Sequence, residues 1–310
     1  MKIVFMGTPE FAVASLEAIL EQGHEVVCVV TQPDKPKGRG GRLASPPVKE
    51  VAVQRGIQVY QPPHIRETNF AEQLRNIKPD IIVVTAFGQI LPKSVLDIPP
   101  KGCINVHASL LPKYRGAAPI QFAIINGESQ TGITTMYMDE GMDTGDMILQ
   151  RAIDIYPDET AGQLHDRLAA LSKDVLKDTL VLIEQGRAPR IKQNDNEATY
   201  CSKLTKEMGH INWDADVKTV YNLIRGVTPW PGAYAFYEDT MIKIWHARIV
   251  SDYKDALPGQ IVDIHREYGI IIKCRNGCMA VDEVQQQNKK RMNIEEYLRG
   301  HKMETGTMLR

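Results

Sequence analysis

The sequence predicts an α/β protein: a Rossmann-like, mostly parallel, doubly wound sheet, followed by a small OB-like β-barrel domain. Three observations predict it. Short Val/Ile-rich runs alternate with helix-length segments through the first half of the chain. Those runs are nearly continuous in apolar residues, the pattern of strands buried on both faces. Beyond about residue 205 the pattern changes to closely spaced, short strand-like runs with turns between them.

The elements follow in order. KIVFMG (2–7) is a buried-strand run, and EFAVASLEAILEQG (10–23) is helical with Gly23 at its end. EVVCVVTQ (25–32) is a second strand, followed by a loop rich in Pro, Gly and basic residues. IQVYQ (57–61), a helix near 68–77, DIIVVTAF (80–87) and GCINVHAS (102–109) continue the alternation. TGITTMYMD (131–139) and GDMILQRAIDI (145–155) add strands, and a helix over about 160–186 closes the region. A first domain over 1–187, with a basic loop at 34–49 inserted, is therefore expected. The polar, weakly patterned stretch 188–205 reads as a linker. Residues 206–310 form the second domain: a helix near 214–225, then YAFYE, MIKIWHARIV, GQIVDIH, YGIIIKC and CMAVDEV as five short strands. Two domains suit a chain of 310 residues.

Composition narrows the function classes. A net charge of −1 excludes nucleic-acid binding through bulk positive charge and leaves only local basic segments. The apolar run before Gly7 is too short for a signal peptide, and no later stretch approaches membrane-spanning length. The five cysteines (Cys28, Cys103, Cys201, Cys274, Cys278) are sparse and odd in number, which reads as a reduced, cytoplasmic protein without a disulfide framework. Cys274 and Cys278 lack the second pair a zinc site needs, so no metal is expected. A monomer is expected. The turn after the first strand holds Gly7 alone where a dinucleotide fingerprint needs three glycines, and Pro9 removes a donor. Asp34 lies where a ribose-binding acid would sit, which is a weak signal without those glycines.

The chemistry concentrates in NVHASLLPKYRG (105–116). Residues two apart on a strand share a face, so Asn105, His107 and Ser109 are expected together at the C-terminal end of a parallel strand. Open α/β sheets place their ligand crevice at that end. An Asn amide and a protonated His are donors able to meet the oxyanion of an acyl or formyl transfer. An imidazole also passes protons to a leaving nitrogen. It would work best beside a carboxylate, and MDEGMDTGD (138–146) supplies four: Asp139, Glu140, Asp143 and Asp146. Spacing does not choose among them.

The motif NVHASLLPKYRGAAP with DTGD downstream resembles the formyltransferases that use 10-formyltetrahydrofolate. The likeness extends over the whole chain, through MGTPEFAV, AFGQILP (86–92) and INW…IRGVTPWPGAY (211–234), to the branch of that family that acts on methionyl-tRNA. It implies a catalytic triad of Asn105, His107 and Asp143. It implies folate contacts along Ser109, Leu110, Leu111 and Pro112, and a pterin pocket lined by Phe87, Gly88, Gln89, Ile90 and Leu91. It implies 10-formyltetrahydrofolate as co-substrate and initiator methionyl-tRNA as acceptor. In such an enzyme the basic loop meets the tRNA acceptor end, through Lys35, Lys37, Arg39 and Arg42.

Composition supports the tRNA reading only locally. Lys49 joins those four basic residues against the single acid Asp34, and Gly38, Gly40 and Gly41 give the loop mobility. From Lys203 onward 16 Lys/Arg stand against 14 Asp/Glu, a slight basic excess with NKKR (288–291) as its densest cluster. That cluster reads equally well as a solvated turn, and Trp213, Trp230 and Trp245 read as packing residues. Three rivals remain: a formyltransferase for a small amine such as a glycinamide ribonucleotide or amino sugar, a nucleotide-binding oxidoreductase, and a non-catalytic RNA-binding protein.

Overall fold

The computed structural model describes residues 1–37, 42–66, 69–251, 256–265 and 269–310. The chain divides into two compact units. The first comprises 1–116, 131–153 and 165–201, and the second 117–130, 154–164 and 202–310.

The first unit is built on a seven-stranded sheet. In chain order its elements begin with β1 (Lys2–Gly7), α1 (Glu10–Glu21) and β2 (Glu25–Val30), then a small hairpin of β3 (Lys35–Lys37) and β4 (Arg42–Ala44). There follow α2 (Pro47–Gln54), β5 (Val59–Tyr60), α3 (Phe70–Ile77), β6 (Ile81–Thr85), α4 (Lys93–Leu96), β7 (Cys103–His107) and β8 (Arg115–Gly116). After α5 (Pro119–Ile125), which belongs to the second unit, come β9 (Gln130–Tyr137), β10 (Met147–Asp154), α6 (Ala161–Glu184) and β11 (Tyr200–Cys201). The sheet order is β10-β9-β7-β6-β1-β2-β5. β5, β2, β1, β6 and β7 pair in parallel, and β9 joins β7 antiparallel. Ile81, Ile82 and Val83 of β6 and Ile3, Val4 and Phe5 of β1 are fully buried, as strands covered on both faces must be. The doubly wound expectation is borne out, with its antiparallel member beside the strand that carries Asn105.

Gly7 has a packing explanation. A Cβ there would come within 2.7 Å of Ala12 Cβ and 2.9 Å of the Thr85 carbonyl, so the glycine lets α1 approach the end of β1. Pro9 is the N-cap of α1, where a missing N–H costs nothing.

All five cysteines are buried and none is in a disulfide. Burial pushes the thiols of Cys28, Cys103 and Cys274 up to about 12, so these are neutral packing groups rather than nucleophiles. No described helix is long and apolar enough to cross a membrane.

The second unit packs α7 (Val217–Gly226) on an antiparallel sheet of β12 (Ala233–Tyr237), β13 (Thr240–Val250), β14 (Ile261–His265), β15 (Gly269–Cys274), β16 (Gly277–Gln286) and β17 (Met292–Asn293), followed by α8 (Ile294–Gly300). The order is β12-β13-β16-β15-β14, with β17 paired to β16. The five short strands expected from the sequence are all present, but among the described residues they form an open ladder and not a closed barrel. The edges β12 and β14 do not pair with each other. Residues 307–310 bond to both, through Phe236 on one side and Gly259 and Ile261 on the other. Trp213 lies in the core of this unit, whereas Trp230 is 54% exposed and so departs from the packing role expected of it. The Trp245 ring is approached by Lys243 Nζ at 5.5 Å and by the guanidinium carbon of Arg291 at 5.0 Å from its centroid. That guanidinium is also bonded to Glu283, so part of the NKKR cluster is committed within the fold.

Candidate active site

Asn105 and His107 lie at the C-terminal end of β7, opposite Met136 and Thr134 of β9. Both orientations follow from period-2 geometry: the two side chains emerge on one face where the strand stops. Asn105 is half-buried, and His107 is 6% exposed. The strand ends at His107, two residues short of expectation. Ser109 has left it and is fully buried in the following turn, where its hydroxyl donates to the Lys113 carbonyl at 2.6 Å.

The carboxylate that reaches this pair is Asp143. Its Oδ1 accepts from Asn105 Nδ2 at 3.3 Å, its Oδ2 accepts from the Gly116 amide at 2.8 Å, and His107 Nδ1 lies 3.7 Å from Oδ2. The other acids of the loop are engaged elsewhere or exposed. Asp139 accepts from Gly141 N and Thr144 Oγ1, Glu140 is exposed, and Asp146 faces Arg190 at 3.6 Å. His107 Nε2 sits 2.9 Å from the carbonyl of Tyr114. A carbonyl only accepts, so Nε2 carries a hydrogen and the ring is pinned by backbone. Nδ1 is the nitrogen turned toward the carboxylate.

Backbone conformation concentrates here. Among the described residues, six without a glycine's freedom have left-handed φ, and Ala86 (47°), Tyr114 (59°) and Asp143 (56°) lie on the three loops expected to form the site. Such conformations persist where surrounding contacts over-determine them, and they gather at functional sites.

The loops expected to hold folate are tightly braced. Thr134 Oγ1 donates to the Ser109 carbonyl at 2.6 Å and accepts from Leu111 N and from Gln150 Nε2, which also donates to the Leu111 carbonyl. Thr8 and Gln32 both donate to the Phe87 carbonyl, beside Gly88 at φ +85°. Phe87 and Leu91 are core residues, Ile90 is 51% exposed, and Leu110 and Pro112 are half-buried. Gln89 is occupied with the 62–65 segment: it accepts from Ile65 N and donates to the Pro62 and Pro63 carbonyls.

Sequence reading missed the residues that frame Asp143. Arg115, a charged residue just past the NVHASLLP motif, is 1% exposed. Its guanidinium donates to Gln193 Oε1, to Asp195 Oδ1 at 2.7 Å and to Tyr200 Oη. Burial opposes the charge, but the bonds to Asp195 and Tyr200 outweigh it and hold the guanidinium above its usual range. Gln193, Asp195 and Tyr200 all come from the polar stretch that reads as a linker. Tyr200 and Cys201 form β11, paired in parallel with β8. β11 is only two residues long and half exposed, too short to register as a strand in the sequence.

The basic loop starts from β3 and β4, paired Lys35 to Ala44 and Lys37 to Arg42. Lys35 is exposed, and Arg39 lies outside the described residues. Lys49 leaves the basic set: its Nζ lies 2.7 and 2.8 Å from the two oxygens of Asp34 and 2.8 Å from Gln61 Oε1. Lys49 and Gln61 together hold the Asp34 carboxyl below its ordinary value. Asp34 is thus the anchor of the hairpin's base.

Comparison with known proteins gives the family. The family described as "Formyl transferase" matches residues 1–180, and "Formyl transferase, C-terminal domain" matches 203–302. The methionyl-tRNA formyltransferase of Ruminiclostridium cellulolyticum is 50% identical over 311 residues, covering 100% of this chain and 99% of its own. That of Caldanaerobacter subterraneus is 51% identical over 311 residues, covering 100% of both. Among solved structures, an N-formyltransferase from Helicobacter canadensis in complex with folinic acid and dTDP-3-aminofucose shares the fold, with a TM-score of 0.69 at 22% identity over 91% of this chain and 99% of that one. With half its residues identical over the whole length and both family regions present, the chain belongs to the formyl transferase family, in its methionyl-tRNA formyltransferase branch.

Proposed function

We propose that the protein transfers the formyl group of 10-formyltetrahydrofolate to the α-amino group of initiator methionyl-tRNA, by direct attack, in support of translation initiation. The observation that supports this reading is the convergence of the Asn105 amide, the His107 ring and the Asp143 carboxylate at the end of β7. The amine attacks the formyl carbon and gives a tetrahedral intermediate. The Asn105 amide hydrogen not used on Asp143 meets the developing oxyanion, and His107, with Nε2 on the Tyr114 carbonyl and Nδ1 toward Asp143, stabilises it through the charge of its ring. The bond from the formyl carbon to the folate nitrogen then breaks, the amine loses a proton, and the folate nitrogen gains one through His107 or water. Asp143 supports charge on the ring and fixes the Asn105 amide, while the Tyr114 carbonyl orients the ring.

Folate lies against the 86–91 and 109–112 loops in this reading, and the tRNA acceptor end meets the basic hairpin through Lys35, Lys37, Arg39 and Arg42. The C-terminal sheet serves as the OB-like tRNA-binding module. The deciding assay mixes the protein with 10-formyltetrahydrofolate and charged initiator tRNA and follows formyl incorporation. Transfer to a small amine with none to the charged tRNA would assign the other acceptor class. Deleting 35–42 is expected to weaken tRNA binding and to flatten its salt dependence by roughly 0.7–0.9 slope units per lost phosphate contact. An unchanged affinity and slope removes the hairpin from the interface.

A further inference from the structure

The carboxylate of Asp143 stands in a left-handed turn that its own sequence does not enforce, so something outside the turn must hold it. Gln193 does so directly. Its Nε2 donates to the Asp143 carbonyl at 2.8 Å and to the Gly145 carbonyl at 2.8 Å, spanning the turn. Its Oε1 accepts from Arg115 Nε at 3.0 Å and from Arg115 Nη2 at 2.8 Å. The guanidinium has donors only, which fixes the amide with its oxygen toward Arg115 and its NH₂ toward the turn. Both amide hydrogens are therefore used on one short stretch of backbone.

Arg115 links this contact to the second hold on Asp143. The residue after it, Gly116, donates its amide to Asp143 Oδ2 at 2.8 Å. Arg115 is itself set by the 195–200 segment, through Asp195, the Tyr200 hydroxyl and the bond from its own amide to the Thr199 carbonyl at 2.9 Å. Carbonyl and carboxylate of Asp143 are thus fixed by one hydrogen-bond network centred on the buried Arg115.

We infer that Gln193 is a positioning residue for the reaction: from the segment after the last helix of the first unit, it holds Asp143 where the carboxylate meets Asn105 and His107. This rests on the role given to Asp143 under Proposed function. A positioning residue acts on the chemical step, because a displacement on the order of 1 Å costs ~10²-fold in rate. Ground-state binding is left alone.

The test is single-turnover formylation with Gln193→Ala, Gln193→Glu, Asp143→Asn and the double variant Asp143→Asn/Gln193→Ala. Gln193→Glu keeps an acceptor for Arg115 and so keeps the fold, but it turns oxygen toward the two carbonyls. Both Gln193 variants are expected to lose roughly 10–100-fold in kcat, with KM for folate and for charged tRNA within about 3-fold of the parent. In the Asp143→Asn background, replacing Gln193 should cost less than about 3-fold, because its effect runs through the missing carboxylate. Parent-like turnover in Gln193→Glu overturns the inference. So does a loss confined to KM, or an equal loss with and without the Asp143 carboxylate. Asp143→Asn at the parent rate is a separate outcome: it removes Asp143 from the chemistry, and this inference with it.

Discussion

Replacing His107 with alanine lowers single-turnover formyl transfer by at least ~10²-fold, and Asn105→Ala falls in the same range. The size matters more than the direction. An ordinary hydrogen bond contributes about 0.5–1.5 kcal/mol, which is roughly 10-fold in rate at most. A donor preorganised toward an oxyanion in a site closed to water is worth about 2.7–4 kcal/mol, or ~10²–10³-fold. The ring of His107 is 6% exposed and held through Nε2 at 2.9 Å to the Tyr114 carbonyl, so its orientation is fixed before substrate arrives. It acts on the oxyanion through ring charge rather than through the hydrogen that the carbonyl already takes. Asn105 is fixed by Asp143 at 3.3 Å through one amide hydrogen, which leaves the other to aim. Asn105→Asp sharpens the test, since it keeps the shape, removes the donor and sets a second carboxylate against Asp143. It is expected to lose at least as much as Asn105→Ala. Rates within a few-fold of the parent, in variants with unchanged unfolding midpoints, would return both residues to a structural role.

The site's location was legible in the sequence because sheet burial is written in composition. Continuous runs such as IIVV and IVFM report strands covered on both faces, and their order puts the crevice at the end of the strand carrying Asn105 and His107. The choice of carboxylate was not legible from spacing. It depends on Asp143 adopting φ 56° so that its side chain turns back toward β7, while Asp139 accepts through Oδ1 from its own loop. Backbone handedness of that kind is set by contacts distant in sequence. Arg115 and Gln193 were hidden for the same reason: they are separated by almost eighty residues, and each looks like ordinary surface polarity until the network closes around them. Lys49 shows the reverse error. Charge counting placed it with the basic loop, whereas the ion pair with Asp34 compensates its charge and Gln61 takes a further hydrogen bond. Barrel closure was equally beyond the pattern, because strand periodicity says nothing about which edges meet.

Gly116→Ala is expected to be among the most disruptive single-methyl changes in the chain, in stability and in turnover together. Its φ of +122° lies where side chains are rarely found, and an added Cβ would stand 2.2 Å from the Cys201 carbonyl oxygen. That oxygen belongs to β11, which the β8 pairing holds in place, so neither partner can yield cheaply. Backbone strain contributes on the order of 1–3 kcal/mol, and the overlap adds a similar amount. Gly56→Ala supplies the control. It also carries a left-handed φ, of +67°, but a Cβ there meets nothing within 4 Å, so it reports strain alone. Denaturant unfolding should place Gly116→Ala clearly below Gly56→Ala. Formylation should separate them further, because whatever shift relieves the overlap carries the residue 116 amide away from its 2.8 Å bond to Asp143. Equal stability losses in the two variants would mean that β11 moves aside freely, and the 193–201 segment would then be too soft to hold the Asp143 carboxylate in place.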